Sequence, residues 1–176
     1  MSCASLGLAA LDSRCDTSVG GVREVYIGDF GAVIPGAPSS GLISTASLAS
    51  GASKLVIFRF RPGSASMEAT ANPDNDNGSN YITTSLSMSF TKMESAKRVQ
   101  MQALLAGGAM AIVKDNNGKY WFLGYDFPMQ VSALNGPTGQ QLSDANQYAI
   151  TLLDTSMELP YEVAQAAITS TIIDGL

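Results

Sequence analysis

No histidine occurs in the 176 residues of this chain, which removes the commonest general base and the commonest metal ligand together. Charge is scarce as well. Asp, Glu, Lys and Arg make up 14% of the sequence, against about 25% in an ordinary soluble domain. A water-facing surface is normally charged, so the deficit calls for uncharged polar side chains or for cover by neighbouring subunits, whose interfaces are poor in Lys, Glu and Asp. Serine, threonine and asparagine abound, so the first contributes; the second points to assembly. Cys3 and Cys15 are too few for a disulfide framework, and two reduced thiols are favoured over one bridge. No stretch approaches the about 18 apolar residues of a membrane helix, so no membrane partner is expected. Met1–Ala10 lacks the basic start and the long apolar run of a signal peptide.

Basic patches are missing too. A net charge of −5 argues against nucleic-acid binding through phosphate attraction, and the pairs Arg59/Arg61 and Lys97/Arg98 read as solvated surface charge. The glycine frames that cradle phosphates and the Gly-x-Ser-x-Gly elbow do not occur. The carboxylate pairs Asp74/Asp76 and Asp154/Glu158 could serve acid–base chemistry, but nothing in their setting lifts them above surface charges. Asn72–Asn80 alternates oxygen donors as a calcium loop does. Its spacing fails, with Gly78 one place late and Thr84 where the closing acidic residue belongs, so it reads as a solvated turn. The chain is read as a non-enzyme that holds no metal and no cofactor.

What the sequence does contain is a strand–helix–hairpin block from Tyr81 to Tyr125. Ile82, Thr84, Leu86, Met88 and Phe90 alternate with Tyr81, Thr83, Ser85, Ser87 and Ser89, the period of a strand with one buried face. Thr91 and Glu94 spell a capping box, Ala96, Val99, Ala103 and Leu104 follow at helical spacing, and Gly107–Gly108 offers a left-handed stop, which predicts one helix at about 92–106. Asp115–Gly118 between two apolar runs is a hairpin signal. Tyr120 and Trp121 are expected to pack on the helix.

The flanks fit a β domain. Val22–Phe30, Lys54–Arg61, Phe127–Leu134 and Ala145–Met157 read as strands, with Tyr148, Ile150 and Leu152 of the last sharing a face. Pro62–Gly63 suits a type II turn that returns the chain through Ser64–Ala71. Left on an edge, Leu55–Phe58 would invite aggregation, so that strand should be central or paired across a subunit boundary. Between strands, Gly31–Ser53 is uncharged and rich in Gly, Ser, Ala and Pro. A mobile loop, a substrate lid and an arm ordering on a neighbour all fit its length; the arm is preferred because Val33, Ile34, Leu42, Ile43 and Leu48 have something to bury. Deleting Leu42–Ser50 should then leave a folded subunit that no longer polymerises. Residues 1–21 read as a loop or arm, and the uncharged tail Val163–Leu176 as a last strand or an arm given to another chain.

The strand–helix layout, Asp115–Gly124 and Asn146–Leu152 with Met157–Tyr161 together resemble the tail tube (major tail) proteins of tailed bacteriophages, with a flavour of phages of gut Bacteroidota. The resemblance implies a mainly β (α+β) fold, an antiparallel β-sandwich or barrel with one flanking helix in a single domain over 1–176. It implies a virion protein of the tail, assembled in the bacterial host cytoplasm, whose copies form rings, usually of six, that stack through the long loop and terminal arms. Its partners would be itself, other tail or neck proteins, and genomic DNA passing an acidic lumen without specific binding. The residues expected at the subunit interface are Ile34, Pro35, Pro38, Leu42, Ile43, Leu48 and Ile172. Competing readings are a ring, adaptor or connector protein of a short-tailed particle, and a monomeric β-sandwich binding module. The module would display aromatics on a concave face, whereas Tyr81, Trp121 and Phe122 are expected to be buried here.

Overall fold

A computed structural model describes residues 16–74 and 79–175. Cys3, Cys15, most of the expected N-terminal arm and the centre of the Asn/Asp turn lie outside them. In chain order the elements are β1 (Val22–Asp29), β2 (Val33–Pro35), β3 (Leu42–Ile43), β4 (Ala46–Leu48), β5 (Leu55–Arg59), β6 (Ala65–Asp74), β7 (Ser79–Thr91) and α1 (Ser95–Ala106). After the helix come β8 (Ala109–Asp115), β9 (Tyr120–Leu123), β10 (Gln130–Asn135), β11 (Gln147–Ser156), β12 (Tyr161–Val163) and β13 (Ile173–Asp174). They form a seven-stranded sheet, β13-β5-β1-β8-β9-β12-β3, a four-stranded sheet, β10-β11-β7-β6, and the small pair β2-β4.

The period-two face of β7 explains how the two large sheets meet. Leu86 and Met88 pack with Ile150 and Leu152 of β11 against Val25, Ile27, Ala111, Val113 and Leu123 of the larger sheet, giving a sandwich core. The fold is mainly β with one helix, as expected. The other face of the larger sheet is covered as well. Tyr26, Met110, Ile112 and Phe122 lie under Val33 and Ile43 from the 31–53 segment and under Ile168, Ile172 and Ile173 from the tail. Ala109–Val113 of β8 is therefore buried throughout, and Tyr26, on the opposite face of β1 from Val25 and Ile27, is fully buried too.

Several local expectations are corrected. The capping box does not form, because Thr91 is still in β7, paired with Gln147, and the helix starts at Ser95 without a side-chain cap. Glu94 instead holds Lys97 at 2.8 Å, and Asn146 Oδ1 accepts the Met93 N–H at 2.9 Å. Gly107 is extended rather than left-handed; glycine is required next door, where a Cβ on Gly108 would lie 2.6 Å from Pro128. Met101 and Leu104 are the helical residues that join the core, while Ala96, Val99 and Ala103 face solvent. The reason is placement: α1 closes one open side of the sandwich, where Gln100, Ala103 and Leu104 line a groove with Val56 and Phe58 of β5. Tyr120 stacks on Tyr26 on the far face of its sheet, away from the helix.

The hairpin is as read, with Gly118 at φ 82° and its N–H bonded to Asp115 O, a conformation that favours glycine. The Arg61–Ser64 turn also forms, with Ser64 N–H on Arg61 O and Gly63 at φ 80°. It does not return the chain along β5. β6 crosses to the other sheet and pairs with β7, and β13 adds in parallel beside Leu55 and Val56. The tail thus covers the start of the aggregation-prone strand within its own chain.

Candidate assembly surfaces

The register of the four-stranded sheet sorts its outward residues into rows. Thr70, Thr83 and Thr155 are cross-strand neighbours, as are Ser66, Ser87 and Thr151, and between them Glu68, Ser85 and Leu153. Ser87 Oγ and Thr151 Oγ1 are 3.2 Å apart. Glu68 is the single charge in these rows, and none of them carries Lys or Arg. Tyr81, expected to be buried, is exposed at one end of this face, because β7 alternation points it away from the sandwich. Trp121 and Phe122 are half-buried and buried.

Both edges of this sheet are open among the described residues. Among the described residues, no backbone hydrogen bond leaves the outer side of β6 or β10. Ser89 donates its N–H to Ser64 O, and antiparallel alternation then aims the amides of Ser66, Glu68 and Thr70 at β7 and those of Ala65, Met67, Ala69 and Ala71 outward. Unpaired strand edges are templates for another strand.

The seven residues expected at an interface fall into two groups. Ile43 and Ile172 are fully buried in the chain's own core, and Leu48 packs on that core. Ile34 is 56% exposed, Leu42 is also exposed, and Pro35 and Pro38 are half-buried. The 31–53 segment is consequently not a free arm. β3 pairs in parallel with β12, β4 with β2, and removing Leu42–Ser50 would take Ile43 out of the core, so that deletion should destabilise the subunit rather than leave it folded. Sequence reading counted apolar residues in this segment correctly but had no signal for which of them face inward.

Buried polar atoms outside these surfaces are few. Asp154 and its cross-strand partner Thr84 are both buried between the sheets, and Asp154 Oδ1 and Thr84 Oγ1 have no hydrogen-bond partner among the described residues. Burial pushes the Asp154 carboxyl above its ordinary range, which the Gly124 amide only partly offsets and the neighbouring Asp126 charge reinforces. An acid whose folded pKa is raised contributes nothing below the unfolded value and costs stability as pH rises from that value through the folded one. Asp154→Asn is therefore expected to match the wild type in strong acid and to exceed it at pH 7 by on the order of 1 kcal/mol, as read by urea unfolding across pH.

No protein-family model and no curated protein matches this chain. Among solved structures, a chain of the "Virion of native gene transfer agent (GTA) particle" is similar over 58% of this chain and 84% of its own length, at 8% identity and a TM-score of 0.37. At that TM-score nothing about fold or role is taken from it.

Proposed function

We propose that this chain is a virion structural protein whose copies join through the open edges of the four-stranded sheet into rings that stack as a phage tail tube, a conduit for DNA. The observation that carries the reading is the sheet itself: two edges unpaired among the described residues, flanking a hydroxyl-rich outward face with one carboxylate and no cation in its rows. Its strands alternate in direction, so β10 and β6 run opposite ways. Rotating copies about a common axis preserves strand directions, and β6 of one copy then meets β10 of the next antiparallel. Six copies would give about 24 strands; at about 4.8 Å spacing the backbone ring is roughly 37 Å across, and wider if the strands tilt. Facing inward, the hydroxyl rows offer DNA polar contact without attraction, since phosphate affinity needs cations. The expected catalytic, metal and cofactor residues are none.

Sedimentation and negative-stain imaging of the purified protein test this. Rings and tubes with a central channel are expected. A monomer that persists at high concentration overturns the tube and favours the binding module, and rings that never stack favour a connector.

A further inference from the structure

Resting on the tube reading, we infer that stacking is head to tail and is driven by opposite chemistry at the two ends of the sandwich, a basic socket on one copy receiving an acidic, apolar end of the next. The strand registers place the charges. Glu24 is opposite Arg59 on β5 and Lys114 on β8, so these mark one end, with Arg61 just beyond β5 and Lys119 just before β9. Phe90 of β7 packs on Phe58 and Phe60 there, and Lys97 lines a groove with Arg59 and Arg61, which brings the start of α1 to the same end. Arg23 is on β1 and Arg98 on α1, and Lys92 lies in the short link between β7 and α1. Of the described Lys and Arg residues, only Lys54 sits at the opposite end, beside β5's first residue, where its ammonium donates to Ser170 O.

The opposite end is marked by Asp29 opposite Ala109 and carries the exposed carboxylates Asp29, Asp126 and Glu158. At the same end stand large apolar side chains that stay well exposed: Phe30 is 44% exposed, Phe127 53%, Met157 74% and Leu159 61%. Scattered single exposed apolar residues mean little, but a group of this size at one end marks an interaction surface. The basic end offers a recess of about 280 Å³ in which Val19, Val22, Met67, Val113 and Trp121 form an apolar wall beside Asn117 and the single carboxylate of Asp115. The helix adds to the polarity, since α1 has no acidic residue in its first turn and no basic residue in its last; its positive terminus lies at the basic end and its negative terminus at the acidic one.

A two-fold, like-to-like contact would set carboxylates against carboxylates, which is repulsive. A translated second copy sets Asp29 and Asp126 toward Arg61 and Arg98, and the apolar group toward the Trp121 groove. Arg61 and Arg98 are exposed and outside every ion pair among the described residues.

Charge reversal tests it. Asp29→Lys with Asp126→Lys, and separately Arg61→Glu with Arg98→Glu, should each give folded rings but tubes shortened roughly tenfold at low salt. All four changes in one chain should restore tube length. Unchanged tubes from either pair, or rings from the fourfold variant that stay unstacked, overturn the inference while leaving the ring reading intact. A wild-type chain that forms neither rings nor tubes overturns the tube reading, and this inference with it.

Discussion

Ala69→Pro is expected to leave a folded, monomeric subunit that closes no ring. The amide of Ala69 points away from β7, as the Ser89–Ser64 hydrogen bond fixes by alternation. Proline there removes no ladder bond within the subunit, and proline is tolerated on an edge strand. Its cost to monomer stability should stay below about 1 kcal/mol. On the outer side, however, it deletes a donor and sets a pyrrolidine ring against the incoming strand, which is how natural edge strands avoid pairing. Analytical ultracentrifugation alongside urea unfolding reads both quantities. Thr70→Pro is the control, because that amide faces β7 and its loss should destabilise the monomer itself. Rings from Ala69→Pro at wild-type yield would mean that β6 is not the joint.

Ile43→Asp and Ile34→Asp are expected to part company completely. Ile43 is fully buried against the larger sheet, so aspartate there loses the side chain's burial and adds an unpaired charge, a combined cost of about 4 kcal/mol or more. Against a typical domain stability of about 5–15 kcal/mol, that brings the chain close to unfolding. Ile34, on the other side of β2 and mostly exposed, should accept aspartate with a change within about 0.5 kcal/mol. Both residues share one uncharged segment and one residue type. Circular dichroism melts of the two variants separate core from surface within it; equal melts would mean that the segment does not pack as described.

That pair also shows what the sequence could and could not reveal. Alternation over Tyr81–Phe90 and Tyr148–Leu152 located two central strands and their inward faces, because a period of two is a local property of the chain. The Asp115–Gly118 turn was equally legible, since its glycine requirement is local. The capping box failed because strand pairing between Thr91 and Gln147 outweighed a cap, and a pairing partner fifty-odd positions away leaves no mark near Thr91. Helical spacing named Ala96, Val99, Ala103 and Leu104, of which only Leu104 reaches the core; a helix that closes a side of a sandwich needs only a narrow contact, which Leu104 and Met101 supply. Ile172, expected at a subunit interface, lies in the core because the second face of the larger sheet is covered by segments remote in sequence. The hydroxyl row of the proposed assembly surface was present in the alternation of Tyr81–Ser89, but its edges, open among the described residues, and the separation of charge between the two ends emerge only from strand order.

The parallel addition of β13 to β5 has a consequence for synthesis in the cell. Lys54 and Ser170, which touch beside that junction, are 116 positions apart. At about 10 residues per second, roughly 10 s pass between the emergence of one and the other. During that interval Leu55 and Val56 have β1 on one side and nothing on the other. Contacts this distant in sequence also form slowly once the chain is complete. A nascent subunit is therefore most prone to aggregate before Ile173 is made, and a chaperone that shields the β5 edge would act on the ribosome-bound chain rather than on the finished protein.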